Sequence, residues 1–220
     1  MKHQRAMDDS EKSERKQQIL KAAVSLLKTA TFEQISMAEV ARISGIAKGT
    51  VYLYFKTKEE LFLALLNNAF AEWFADLQQR LLTLKETDNT ARIRAFASIL
   101  TDSLQEHTLL LGLLPILHPI LEHNVPYAAV LDFKQGLRTN LLSTGQQIEN
   151  IFAFLNPGQG AELLLSAYSA LIGLLSMTQP SEIARQVLKE PEMSLFVIDR
   201  TAALRQLVSH LLMGMYVVTQ

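Results

Sequence analysis

The chain has 220 residues, 49% of them hydrophobic and 20% charged, with 9 Gly, 6 Pro and no Cys. That length admits one large domain or a small one plus a larger one, and the apolar fraction excludes global disorder. The lack of Cys excludes disulfides, thiolate metal sites and thiol nucleophiles, and a net charge of −1 over the whole chain argues against a nucleic-acid partner.

Residues 1–18, MKHQRAMDDSEKSERKQQ, are polar and lack the apolar core of a secretory signal; they read as an arm to about residue 10. A helix follows over 12–29, because Ile19, Ala22, Ala23, Leu26 and Leu27 recur at helical spacing. Two short helices are predicted at 37–43 and 48–54, and a long one at 58–84. After the polar break at 85–90, helices resume at 90–106, 109–116, 126–154, 158–178 and 194–218. Pro126 and Pro157 suit first helical positions, with Asn156 as N-cap. The polar connector Gln179–Glu192 has room for one short helix. Helical periods dominate, strand alternation is almost absent, and internal repeats and low-complexity tracts are absent, so the fold class is all-α.

No stretch reads as a membrane span. Thr108–Leu121 is shorter than the roughly 20 residues required and is interrupted by Pro115, His118 and Pro119. Leu163–Met177 stops at Thr178-Gln179-Pro180. A soluble cytoplasmic protein is the default expectation.

Charge is unevenly spread. Residues 1–60 hold eleven basic and eight acidic side chains, a surplus of +3, and the rest of the chain carries −4. A change of sign along the chain suggests a boundary and a basic end that faces a polyanion.

The basic end contains SMAEVARISGIAKGTVYLYFKTKEEL, residues 36–61. Ser36 and Glu39 form a capping box, Gly45 falls where a helix stops and turns, and Val51 can anchor a second helix against the small residue Ala41. These are the packing demands of a helix-turn-helix. The second helix exposes Lys48, Thr50, Tyr52 and Tyr54; a lysine reaches guanine edges, and hydroxyls bond phosphates. Gly49 permits close approach to a backbone. Thr57 and Glu60 form a further capping box, and Lys58 at that helix start is placed to hold a phosphate. The bland alternative is an αα-hairpin in an ordinary bundle.

Residues 12–62 resemble the N-terminal domain of the TetR family of transcriptional repressors, on Ala22/Ala23, Leu26/Leu27, Phe32, Ser36, Val40, Ala41, Gly45, Ile46, Gly49–Tyr52, Tyr54, Phe55, Lys58, Glu59 and Leu61. GTVYLYFKTKEEL is the most specific part. The resemblance implies an N-terminal three-helix DNA-binding domain (1–57) and a C-terminal helical ligand-binding and dimerisation domain (58–220), connected by helix 58–84. It implies a homodimer on a palindromic double-stranded operator, released by a small effector, with no cofactor. By position, Ser36, Met37 and Ala38 begin the support helix near a phosphate, Lys48, Gly49, Thr50, Tyr52 and Tyr54 lie on the recognition helix, and Lys58 contacts phosphate. Thr31, Ser44 and Ala47 depart from the family pattern; Ala47 removes the N-cap of the recognition helix, at a cost of about 1 kcal/mol.

Beyond residue 62 no motif is identifiable. The helix at 158–178 is apolar nearly all round, so it and 194–218 are the expected dimer elements, through Ala167, Ala170, Leu171, Leu174, Leu204, Leu207 and Leu211. Candidate pocket residues are Phe96, Leu100, Leu104, Leu114, Leu117, His118, Leu121, Tyr127, Leu131, Phe133, Phe152 and Tyr168, around the proline-broken run 109–123; they predict a hydrophobic effector. His118 and His123 are five apart, the wrong spacing for metal ligands on a helix. No nucleophile elbow, zinc-protease motif, P-loop or dinucleotide fingerprint is present, so no enzymatic activity is expected. Glu122, Asp132 and Glu149 look solvated. A helical carrier without a DNA role would leave the exposed residues of 48–58 without a purpose.

Overall fold

The computed structural model describes the backbone of residues 2–218 and the side chains of residues 10–218. Ten α-helices appear among them: α1 (Lys2–Leu27), α2 (Met37–Ser44), α3 (Lys48–Tyr54), α4 (Lys58–Leu81), α5 (Asn89–Glu106), α6 (Thr108–Ile116), α7 (Tyr127–Ile151), α8 (Gln159–Met177), α9 (Glu182–Val187) and α10 (Arg200–Val218). A π-turn (Leu117–Leu121) follows α6, and a 3₁₀ turn (Pro191–Phe196) precedes α10. The fold is all-α, as the periodicity predicts. The stretch expected as an arm is helical from Lys2, and its side chains to residue 9 lie outside the described residues.

The chain forms two compact units. One comprises Met1–Asn68 with Ile116–Phe133, the other Ala69–Pro115 with Lys134–Gln220. In the first, α1–α3 and the start of α4 close around Ile19, Ala23, Val40, Val51, Phe55 and Leu61, all almost fully buried. Phe32 meets Phe62 edge-on at 4.9 Å between ring centroids. Leu117, Leu121 and Phe133 are also buried. The π-turn has a local cause: Pro115 and Pro119 lack the N–H groups that would donate to residues four earlier, and the ladder widens there.

In the second unit α10 packs on α5 and α8. Helix α8 crosses α7 at contact distance, for a Cβ on Gly145 would stand 2.5 Å from the Ala161 nitrogen, and one on Gly160 would collide with the Gly145 carbonyl. Helix α8 starts at Gln159, two residues later than Pro157 suggests. Glu149 explains the shift: its Oε1 accepts from the Gly158 and Gly160 N–H groups at 2.8 and 2.9 Å, so a carboxylate on α7 caps α8 in place of Asn156. Glu149 is therefore engaged rather than solvated. Helix α10 begins at Arg200, not 194, because Asp199 Oδ1 accepts from the Thr201 and Ala202 N–H groups, each at 3.0 Å. By length and composition α8 could cross a bilayer. Leu163, Leu164, Leu171 and Leu175 are buried within its own unit, which accounts for its apolarity.

Candidate nucleic-acid interface and ligand cavity

Each device predicted between residues 36 and 51 is formed. Ser36 Oγ accepts from the Glu39 N–H at 3.2 Å, and Glu39 Oε2 accepts from the Ser36 N–H at 3.0 Å. The Ser36 hydroxyl, then its backbone N–H, holds the Glu39 carboxyl below the usual carboxylate range. Gly45 ends α2 at φ 67°, a left-handed conformation that favours glycine, and its N–H donates to the Ala41 and Arg42 carbonyls. Ala41 and Val51 are buried where the helices meet. Ala47 precedes α3 with no side-chain cap.

Successive residues of α3 turn by 100°, which sets its faces. Val51 points into the core; Lys48, Gly49 and Tyr52 are exposed; Thr50 and Tyr54 are half-buried. A Cβ on Gly49 would meet nothing within 4 Å, so no internal packing demands glycine there. Leu53 was not anticipated. It is 74% exposed, on the side of α3 away from Val51 and one turn from Gly49, and an apolar side chain there suits a thymine methyl. Its spacing from Val51 is the signal that identifies it. On α2, Ser36 and Ala38 are exposed, whereas Met37 is buried, so only its backbone is available at the helix start.

Lys58 departs from the phosphate-contact expectation. Its Nζ donates to the Phe32 carbonyl at 2.7 Å and the Ile35 carbonyl at 3.0 Å, and sits 4.1 Å from the Phe32 ring centroid. Two of its three donors thus tie the turn before α2 to the start of α4. The neighbouring Thr57–Glu60 box is half formed: Thr57 Oγ1 accepts from the Glu60 N–H at 3.1 Å, but the Glu60 carboxylate takes the Lys56 N–H.

The second unit holds a small apolar cavity of about 50 Å³. Of the sequence candidates, Leu100, Leu104, Leu114 and Tyr168 line it. Phe96 and Phe152 do not; they are fully buried core and meet edge-on at 5.6 Å. Leu117, His118, Leu121, Tyr127, Leu131 and Phe133 belong to the other unit. Tyr127 is 81% exposed, and His118 Nδ1 lies 3.1 Å from Glu122 Oε2. Sequence reading missed Phe70, Trp73 and Phe74 on α4 and Leu137 and Leu141 on α7, whose helical spacing marks them as inward-facing without separating wall from core. No lining residue is charged. Trp73 Nε1 donates to Ser103 Oγ at 3.0 Å, so its polar atom is already satisfied. Among the described residues no group of His, Asp or Glu is arranged to hold a metal.

The dimer candidates divide. Ala167, Leu171, Leu174 and Leu204 are buried within their own protomer, the first two on the cavity wall. Leu207 and Leu211 are exposed on α10 and Ala170 is half-buried on α8.

Residues 19–65 match the model for bacterial regulatory proteins of the tetR family, and residues 67–219 match that for the tetracyclin repressor-like C-terminal domain. The chain belongs to the TetR family. The C-terminal match reaches the region where sequence reading found no motif. Among curated TetR-like relatives, the fatty acid metabolism regulator of Bacillus subtilis is 31% identical over 28% of this chain and 32% of its own length. The transcriptional activator FasR of Mycolicibacterium smegmatis is 31% identical over 43% of this chain and 42% of its own. The chain thus spans about a third to a half of the curated relatives it matches. Solved TetR-type structures share the fold over nearly the whole chain. The repressor AlkX of Dietzia aligns with a TM-score of 0.56 at 14% identity over 93% of this chain and 97% of its own. FadR of Bacillus subtilis in complex with stearoyl-CoA aligns with a TM-score of 0.50 at 20% identity over 89% and 96%.

Proposed function

We propose that this TetR-family regulator acts as a homodimer that binds a palindromic operator in the cytoplasm, represses from it, and is released when an apolar small molecule enters the cavity of the second unit. The observation that carries the reading is the face of α3 formed by Lys48, Gly49, Tyr52 and Leu53, exposed on a helix anchored by Val51. Lys48 supplies charge and base-edge recognition, Tyr52 a hydroxyl, Leu53 an apolar contact and Gly49 close approach. Ser36 and the N–H groups at the start of α2 face a phosphate. Half-sites about 34–36 Å apart, or a multiple of this, follow from a twofold pair of such helices. Leu207 and Leu211 on α10 and the outer side of α8 form the dimer face.

A cavity without charge, whose walls offer one tryptophan N–H already used and one tyrosine, suits an aliphatic ligand. At about 50 Å³ it is small, and an alkyl chain is the apolar ligand of smallest cross-section. The stearoyl-CoA complex of FadR from Bacillus subtilis supports an acyl chain as the effector.

The test is a mobility-shift titration with DNA flanking the protein's own gene, with and without acyl-CoA. Trp73 is the single tryptophan and lines the cavity, so its fluorescence reports occupancy separately. Binding to DNA that falls steeply with salt, and is abolished in Tyr52→Ala with Lys48→Ala, supports the reading. A wild type that binds no such fragment at low salt sinks it. A wild type that binds DNA while Trp73 ignores every apolar ligand sinks the effector alone.

A further inference from the structure

The segment joining α8 to α10 has regular structure and no core. Ser181 Oγ accepts from the Ala184 N–H at 3.3 Å to cap α9, and the 3₁₀ turn follows, yet neither element contains a buried residue. Ile183, Val187, Leu195, Phe196 and Val197 are all at least half exposed, Leu195 to 83%. A six-residue helix does not persist in water on propensity; helices this short are held by tertiary packing. So many exposed apolar side chains within one short segment mark a surface that another molecule covers.

The chemistry of the segment narrows the occupant. It carries Glu182, Arg185, Lys189, Glu190 and Glu192, a net charge of −1, whereas nucleic acid and anionic membranes select basic segments. In sequence the segment is flanked by further exposed apolar residues, Met177 on α8 and Leu207 and Leu211 on α10, the latter two on the proposed dimer face. The same unit also presents a groove of complementary character. Ile93 and Met213 on α5 and α10 line it together with Arg94 and with Arg205, whose guanidinium is paired with Asp102 at 2.6 Å, and its volume is about 490 Å³. The protomer's own segment leaves this groove open. Glu190 and Glu192 precede Leu195 and Phe196, so an acidic and apolar strip complements a groove that offers Arg94 beside apolar walls.

We infer that residues 182–197 form an arm that lies in the α5–α10 groove of a second copy of the chain, each protomer clasping the other about the twofold axis. The inference rests on the dimer reading and adds to it a second, reciprocal contact.

The test uses the full chain. Leu195→Asp with Phe196→Asp alters two side chains that stand in solvent within the protomer, so far-UV circular dichroism stays unchanged. The dimer dissociation constant by sedimentation is expected to rise about 30-fold or more, the loss typical of truncating two interface anchors. Arg94→Glu is expected to raise it about tenfold. Hydrogen exchange in residues 182–197 should slow as protein concentration rises through the dissociation constant. A wild-type dimer matched by both variants overturns the arm and leaves the dimer standing. A wild type that is monomeric at high micromolar concentration overturns the dimer reading and the arm together. A monomer that binds anionic vesicles through Leu195 and Phe196 overturns the arm and shows that a membrane, not a second copy, covers the segment.

Discussion

The two units solve different problems. In the DNA-binding unit single residues do single jobs over short distances: Ser36 and Glu39 cap a helix, Gly45 turns the chain and Val51 anchors α3. Each job restricts the residue type, so the unit leaves a readable trace. In the cavity unit the proposed effector site is a gap between helices far apart in sequence, walled largely by interchangeable Leu, Phe and Ala side chains. Volume and polarity define it, and many sequences supply both. Similarity to known proteins is of two kinds. Curated relatives match this chain over 28–43% of its length at about 30% identity, whereas solved structures match over about 90% at 14–20%.

Glycine substitutions test that contrast most severely. A Cβ at Gly145 would stand 2.5 Å from the nitrogen and 3.0 Å from the Cα of Ala161, and backbone cannot swing aside. Gly145→Ala is therefore expected to destabilise the second unit by about 1–3 kcal/mol, a fall of about 3–10 °C in melting temperature. Gly49→Ala adds the same methyl group where nothing lies within 4 Å, on a helix where alanine is favoured by about 0.5–1 kcal/mol. It is expected to hold or raise the melting temperature while weakening operator binding. Calorimetry beside a shift assay separates the two, and a Gly49→Ala variant that binds DNA like wild type would remove the close-approach role of that face.

The lysines sharpen the division within the DNA-binding unit. Lys58→Met removes two hydrogen bonds from a charged group to the Phe32 and Ile35 carbonyls and should cost about 1–2 kcal/mol of stability. Its effect on DNA comes through the placement of α2, so the dependence of affinity on salt should keep its slope. Lys48 is exposed on α3. Lys48→Met should leave the melting temperature unchanged and make the salt slope shallower by about 0.9 for each phosphate left unneutralised. Equal slopes in the two variants would return Lys58 to a direct phosphate role.

The same distinction governs what the sequence discloses. Helix positions follow from apolar period, and α2, α3 and α5 fall within a residue of their predicted limits. Errors gather where a distant group sets an end. Glu149 moves the start of α8 past Pro157, and Asp199 sets α10 six residues late. A place at a helix start points Lys58 outward, and a turn 23 to 26 residues earlier redirects it inward. Leu53 is readable from its phase against Val51, but an apolar residue is easily taken for core. The cavity is the least legible. A broken apolar run points to 109–123, whereas much of the wall comes from regular helices α4, α7 and α8, where period marks burial but not whether a gap remains.

The smallest effect expected concerns acid. Arg80 lies near the end of α4; its Nε donates to Asp76 at 2.9 Å and its terminal nitrogens to Glu106 at 3.0 and 2.5 Å, while His107 Nε2 lies 3.3 Å from Asp76. The cluster pins α4 to the corner where α5 meets α6. The hydrogen bond from Arg80 holds the Asp76 carboxyl below its usual range, against the opposing pull of desolvation, and holds Glu106 low as well. A carboxyl whose folded pKa lies below its unfolded value near 4 stabilises the fold fully above that value. The contribution fades as pH falls through the folded pKa. Asp76→Asn should thus lower the melting temperature at pH 7, and the gap from wild type should close toward pH 3. Both Asp76 and Arg80 are 30% exposed and screened by solvent, so the gap should correspond to less than about 1 kcal/mol. Trp73 belongs to the same unit and makes the measurement local. A pH-dependent gap in Trp73 fluorescence places the acid-sensitive contact in the cavity unit. A constant gap would mean that Asp76 stabilises through packing alone, and that the polar network bracing the α4–α5 corner is as exchangeable as the apolar walls around it.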